Sequence, residues 1–265
     1  MSINPDKFNI NIMSSSTVEY GLIGFPLSHS FSQRFFNEKF NSENIDATYH
    51  NFQLPEIGAI MDILATHPRL QGFNVTLPYK ERILPYLDDI DPKAKEIGAV
   101  NVVKVIHKPD GDIKLKGFNS DYIGFRDSLI PLLREGQHSA LILGTGGASK
   151  AVRVALTSID IKFSMVSRFM KPGVDFTYEQ LSEDVIKSHD IIVNTTPVGM
   201  YPNSAEYPPI PYENLTSCHI LYDLIYNPDI TTFMKLGAKH GCVVKNGLEM
   251  LLLQAFESWK IWNSN

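Results

Sequence analysis

The sequence predicts an α/β fold built in two units, and three observations carry that expectation. Short apolar runs alternate with amphipathic segments along the chain, a texture that favours parallel sheets flanked by helices over a β-sandwich. The run ALIL at 140–143 enters Gly144-Thr145-Gly146-Gly147 and then a helical stretch, the strand-turn-helix context of a nucleotide-binding loop. The chain has 265 residues, the length of one large domain or two small ones, and the change of texture before Ala140 suggests a boundary within 122–139.

Residues 18–24 (VEYGLIG) read as a buried strand ending in glycine. Aromatic side chains at 35, 36 and 40 place 32–40 on a helix. Residues 47–54 form the second strand, and apolar residues at 57, 60, 61 and 64 mark 56–65 as helical. A short strand, 72–75, stops at Thr76 and Pro78. Helical spacing returns over 79–87 and again over 92–98, where Pro92 suits a first turn. Strands 101–106 and 113–118 flank Pro109-Asp110-Gly111, a hairpin signal, and 122–133 is helical. Beyond the strand at 140–143, the alternation continues as helix 149–156, strand 162–166, helix 178–186, strands 190–194 and 219–225, helix 232–240, strand 243–245 and a long helix 248–262.

Composition narrows the function. With 24 basic and 29 acidic residues the formal charge is −5, and no Lys/Arg run overrides it, so a nucleic-acid partner is not expected. No stretch approaches the roughly 18 apolar residues of a membrane span, and the opening MSINPDKFNINIMSSST lacks the basic and apolar regions of a secretory signal. Cys218 and Cys242 are unclustered and are expected to behave as small buried apolar residues. These features point to a soluble cytoplasmic protein without a metal site. Residues 1–17 carry nothing that suggests chemistry.

The glycine turn gives the first ligand. Gly144 permits the tight turn, Gly146 lets the backbone approach a pyrophosphate, and the helix N-terminus beyond Gly147 and Ala148 offers amides to it. The third fingerprint position is Ser149 rather than Gly or Ala. The following strand ends Ser167-Arg168 where an NAD site would place a carboxylate. Arg168 can pair with a 2′-phosphate, helped by the Ser167 hydroxyl and by Lys171, so NADP is expected in preference to NAD.

Chemistry-bearing residues also gather at strand ends of the first half: Ser28-His29-Ser30, then Asn74 through Lys80, then Gly117 through Asp121. Taken singly, Lys80 reads as surface charge, Asp121 as a helix N-cap, and the serines as loop polars. Their combination, with order and spacing, resembles the shikimate dehydrogenase family of NADP-dependent reductases in aromatic amino acid biosynthesis. The motifs are GFPLSHSFS (24–32), NVTLPYK (74–80), IGAVN (97–101), GFNSD (117–121), GTGGASKA (144–151), NTTPVGM (194–200), DLIYNP (223–228) and NGLEMLLLQ (246–254). Ser120 departs from the family's usual Thr, and Ser167-Arg168-Phe169 from its Asn-Arg-Thr.

The resemblance implies an N-terminal α/β substrate domain, 1–121 with 246–265, and a C-terminal Rossmann-like NADP-binding domain, 122–245, the last helix returning to the first domain. It implies Lys80 and Asp121 as the catalytic pair. Ser28, Ser30 and Tyr226 would hold the substrate carboxylate, and Asn74, Thr76, Asn101 and Gln254 the ring hydroxyls. Gly144, Gly146, Gly147, Ala148, Ser167 and Arg168 would serve NADP, with Met200, Ile225 and Gly247 at the nicotinamide end. The expected activity is reversible reduction of 3-dehydroshikimate to shikimate by a monomer or homodimer. A quinate/shikimate dehydrogenase with relaxed cofactor use, or a non-catalytic sensor of such ligands, are the alternatives.

Overall fold

A computed structural model describes residues 17–27 and 30–264; Ser28 and His29 lie outside the described residues. The first half contains β1 (Val18–Gly24), α1 (Phe31–Ser42), β2 (Ala47–Gln53), α2 (Ile60–Thr66), β3 (Leu70–Val75), β4 (Asp89–Ile90), α3 (Pro92–Ile97), β5 (Val102–His107), β6 (Ile113–Phe118) and α4 (Asp121–Leu129). The second contains β7 (Ser139–Leu143), α5 (Gly147–Thr157), β8 (Lys162–Ser167), β9 (Phe176–Thr177), α6 (Glu183–Lys187), β10 (Ile191–Asn194), β11 (Ile220–Asp223), α7 (Thr232–Lys239), β12 (Val243–Lys245) and α8 (Leu248–Asn263).

Among the described residues these strands form two six-stranded sheets. The second, ordered β12-β11-β10-β7-β8-β9, is parallel throughout, as the sequence predicts. The first, ordered β2-β1-β3-β5-β6-β4, contains the hairpin expected from the sequence, β5 running antiparallel to β6, and corrects the expectation of a parallel sheet at one further pair, because β5 also runs antiparallel to β3. The hairpin follows from the short turn at 109–111, where Gly111 has φ +89°; so tight a connection can only reverse the chain, whereas a parallel return needs a crossover of a dozen or more residues. In each sheet the chain order reverses beside a central strand, between β1 and β3 and between β7 and β10. Crevices open at the carboxyl ends of strands at such points.

Two helices predicted from spacing prove irregular. Residues 79–87 contain turns and a 3₁₀ turn at Leu84–Tyr86, because Pro85 lacks the amide a regular helix needs there. The apolar spacing instead reflects burial of Tyr79 and Ile83 beneath an irregular segment. Residues 178–186 break into a 3₁₀ turn, Tyr178–Gln180, and α6, whose cap Ser182 accepts from the Val185 amide at 3.3 Å. Of the cysteines, Cys242 is buried as expected, but Cys218 is exposed because it sits on the turn leading into β11. Among the described residues, no helix is long and apolar enough to cross a membrane.

The terminal helix joins the halves. Met250 packs in the core of the second sheet with Phe125 and Leu129, while Ala255 and Trp262 pack in the aromatic core of the first with Tyr20, Phe36 and Tyr49. Trp262 Nε1 donates to the Val103 carbonyl at 3.0 Å. Helix α8 also lies close on α4: a Cβ at Gly124 would meet the Met250 carbonyl at 2.6 Å and the Gln254 amide at 3.1 Å. Replacing Gly124 by Val should therefore push α8 outward and cost about 1–3 kcal/mol of stability, read as a lowered urea midpoint with an unchanged m-value.

Candidate functional site

A cavity of about 310 Å³ lies where the carboxyl ends of β1 and β3 face α8 and the loop after β11. Ser30, Asn74, Thr76, Lys80, Asn101, Tyr226 and Gln254 all line it. The fold thus brings together every described residue for which the resemblance implies substrate contact; Ser28 is outside the described residues. Ser30 caps α1, its Oγ accepting from the Gln33 amide at 3.2 Å, so the positive end of that helix borders the cavity.

Lys80 and Asp121 meet at its floor, Lys80 Nζ donating to Asp121 Oδ2 at 2.7 Å. The side chains are 26% and 8% exposed, so the carboxylate is sheltered while the ammonium keeps access to the cavity. Asp121 opens α4, but its carboxylate does not cap the helix. That task falls to Asn119, whose Oδ1 accepts from the Asp121 and Tyr122 amides at 3.0 and 3.4 Å. The other Asp121 oxygen, Oδ1, receives Asn101 Nδ2 at 2.8 Å. An ammonium has three hydrogens; with one on Asp121, two remain for a ligand.

The wall above this pair is a buried polar network. Asn101 Oδ1 accepts from the Ser120 amide at 2.7 Å, and its Nδ2 also approaches Ser120 Oγ at 3.1 Å and Gln254 Oε1 at 3.4 Å. Ser120, in place of the Thr expected, keeps this hydroxyl in use. Tyr49 and Ser258 belong to the same network and escape sequence reasoning: they lie in a strand and a helix that read as ordinary packing elements, and only the fold brings 49, 74 and 258 into contact.

The glycine turn sits across the crevice. Gly144 has φ +103°, and a Cβ there would meet Thr196 Cγ2 at 2.7 Å, so the turn packs tightly on the loop after β10. A Cβ at Gly146 or Gly147 would meet nothing within 4 Å, which leaves the outer side of the turn open. Gly146 caps α5 with no side-chain hydrogen bond, so the first amides beside Gly147 and Ala148 face that open side without a capping group. These features fit a pyrophosphate. Arg168 is exposed at the end of β8, beside the half-buried Ser167, and makes no ion pair among the described residues. A free guanidinium there fits a 2′-phosphate. Lys150, on the first turns of α5, bonds Glu81 at 2.8 Å, which brings the glycine turn next to the segment carrying Lys80.

Loops after β10 and β11 complete this side, and buried Asp223 ties them. Its Oδ1 accepts from Asn194 Nδ2 at 3.0 Å and the Ile225 amide at 3.1 Å; its Oδ2 accepts from Thr231 Oγ1 at 2.7 Å. Met200 is exposed on the first loop, and Ile225 is buried on the second. Gly247, before α8, donates to the Ile225 carbonyl at 3.0 Å, and a Cβ there would meet the Leu224 carbonyl at 2.1 Å. Only glycine allows that approach.

Comparison with known proteins places these features in company. Residues 22–103 match the model of the shikimate dehydrogenase substrate binding domain. The chain is 38% identical to a shikimate dehydrogenase (NADP(+)) of Clostridium beijerinckii over 92% of this chain and 91% of that protein. The crystal structure of shikimate dehydrogenase from Aquifex aeolicus superposes with a TM-score of 0.81 at 36% identity, covering 93% of this chain and 92% of that one. The Thermus thermophilus shikimate 5-dehydrogenase, solved in complex with NADP(H) and shikimate, gives 0.80 at 28% identity over 93% and 94%.

The Asp223 carboxyl also leaves a signature in stability. Burial raises its pKa to about 6, against the opposing hydrogen bonds from Thr231, Ile225 and Asn194. The native state therefore holds this proton more tightly than the unfolded chain does, so the stabilisation is full below the ordinary carboxylate pKa and is lost as pH rises through about 6. Between pH 4 and 7 the unfolding free energy of the wild type should fall, relative to Asp223→Asn, by on the order of 2 kcal/mol. Urea titrations of both proteins across that range measure it.

Proposed function

The chain belongs to the shikimate dehydrogenase family, and from that premise we propose that it catalyses the reversible NADPH-dependent reduction of 3-dehydroshikimate to shikimate, a step of aromatic amino acid biosynthesis. The observation that carries the reading is the Lys80–Asp121 contact at 2.7 Å, opening into a polar cavity whose rim adjoins the glycine turn through Lys150 and Glu81.

Reduction of a ketone builds negative charge on its oxygen, and that oxygen needs a proton donor beside it. Lys80 fills the role: Asp121 holds one of its hydrogens, and another reaches the ketone oxygen, stabilising the developing charge and supplying the proton. In the reverse direction the Lys80 amine takes the proton back. Asp121, itself steered by Asn101, keeps the ammonium aimed into the cavity. Ser30, at the positive end of α1, and Tyr226 receive the substrate carboxylate; Asn74, Thr76, Asn101 and Gln254 hold the ring hydroxyls. A wall whose buried polar groups expect hydroxyl partners rejects rings that lack them. NADPH, when bound, supplies the hydride. Gly144, Gly146, Gly147 and Ala148 would hold its pyrophosphate, Arg168 and Ser167 its 2′-phosphate, and Met200, Ile225 and Gly247 would border its nicotinamide.

We assign residues 1–121 with 246–265 to the substrate and 122–245 to the cofactor, a division supported by the separate sheets β1–β6 and β7–β12. The unpaired Cys218 and Cys242 suit a reducing compartment, here the cytoplasm, where the protein acts as a monomer or homodimer.

The primary test mixes the protein with shikimate and oxidised cofactor and follows reduced nicotinamide by absorbance; no signal with either NADP+ or NAD+ sinks the reading. Lys80→Ala should lower kcat by at least about a hundredfold with little change in KM, and near-normal turnover would remove Lys80 from the chemistry. Arg168→Ala should raise KM for NADPH far more than for NADH, in steady-state assays with both cofactors.

A further inference from the structure

The amide of Asn74 is locked in one orientation. Its nitrogen carries two hydrogens, one given to the Asn101 carbonyl at 3.2 Å and one to Ser258 Oγ at 2.9 Å. A backbone carbonyl only accepts, and fully buried Ser258 spends its own proton on the Gln254 carbonyl at 2.8 Å. Both neighbours therefore demand the NH₂ side. On the opposite side, Asn74 Oδ1 receives the Tyr49 hydroxyl at 2.8 Å. Burial pushes the Tyr49 phenol well above its ordinary pKa, against a hydrogen bond with Ser32, so it stays protonated and able to donate. The Tyr49 ring is itself pinned by stacking on Phe36, with centroids 4.8 Å apart and planes 10° apart. Of the four hydrogen-bonding places on a carboxamide, three are spent inside the protein. The fourth is a lone pair on Oδ1, and Asn74 lines the cavity.

We infer that Ser258 and Tyr49 are positioning residues that make Asn74 an acceptor-only contact, so that this part of the site selects a ring substituent able to donate a hydrogen bond. A hydroxyl qualifies; a fluorine or a keto oxygen at the same ring position does not. The inference rests on the cavity being the shikimate site and adds the polarity of one of its contacts. It also assigns work to two residues of the wall that make no hydride or proton transfer.

The test measures affinity rather than turnover. Shikimate analogues with each ring hydroxyl replaced in turn by hydrogen or by fluorine are titrated calorimetrically into the full chain saturated with NADP+. The position contacted by Asn74 is the one whose deoxy penalty disappears in Asn74→Ala; unchanged NADP+ affinity in that variant checks its fold. At that position the fluoro analogue should bind as weakly as the deoxy analogue, about tenfold or more below shikimate. In Ser258→Ala only the Asn101 carbonyl still holds the NH₂ side, so the flipped amide that turns an N–H toward the ring becomes accessible, and the fluoro analogue should gain over the deoxy analogue. A fluoro analogue that keeps the affinity of shikimate, a deoxy penalty that couples to Asn74 at no ring position, or a fluoro-to-deoxy ratio unmoved in Ser258→Ala overturns the inference alone. A wild-type chain that binds no shikimate overturns the functional reading and the inference together.

Discussion

The sheltered carboxylate of Asp121 constrains much of the architecture around the cavity. A carboxylate that is 8% exposed survives only with charged and hydrogen-bonded partners, and it has both, Lys80 on one oxygen and Asn101 on the other. The three residues come from different places: Lys80 from the irregular segment after β3, Asn101 from the entrance to β5, Asp121 from the first turn of α4. Satisfying one anion therefore fixes the relative positions of a loop, a strand and a helix. The same requirement aims the ammonium into the cavity, because the buried side of the pair is already filled. Structural need and proposed catalytic role coincide in this contact.

Close backbone approach is the second constraint. Gly72 has no room for a side chain under Trp262, Gly124 none under the α8 backbone, and Gly247 none against the Leu224 carbonyl. These three glycines let α8 lie across both halves of the molecule and carry Gln254 and Ser258 to a wall otherwise built from residues before 122. A side chain at any of them would lift the helix and open the network of Asn74, Asn101 and Ser120. Packing at a distance thus bears directly on the geometry of the cavity.

Legibility from sequence followed the range of the interactions. Elements governed by local periodicity, such as β7, α5 and α8, are readable to within two residues at their ends, and so is the position of the glycine turn from Gly144 to Gly147. The segment 79–87 misleads because a buried tyrosine and isoleucine four apart imitate a helix while Pro85 forbids one. The antiparallel pairing of β5 with β6 was implicit in the hairpin signal at 109–111, which outranks the general alternation of strands and helices. Lys80 and Asp121 are 41 residues apart, and nothing in either segment alone distinguishes a paired catalytic group from surface charge; their meaning came from the ordered set of motifs. Tyr49 and Ser258 were invisible because their role consists of one contact each with Asn74, across separations that only the folded chain closes.

The net charge of −5 poses a problem that the site resolves locally. Both proposed ligands are anions, one a carboxylate and the other a dinucleotide phosphate. On the proposed reading the first would meet a hydroxyl at the positive end of α1 and the second the open amides of α5, so helix ends would supply much of the attraction. Formal positive charge is used sparingly, at Lys80 and Arg168. Lys80 is already matched by Asp121, whereas Arg168 stands free among the described residues. Fixed dipoles are aligned before any ligand arrives and need no counter-charge, which lets an acidic chain hold two anions close together without a broad basic surface that would attract polyanions indiscriminately.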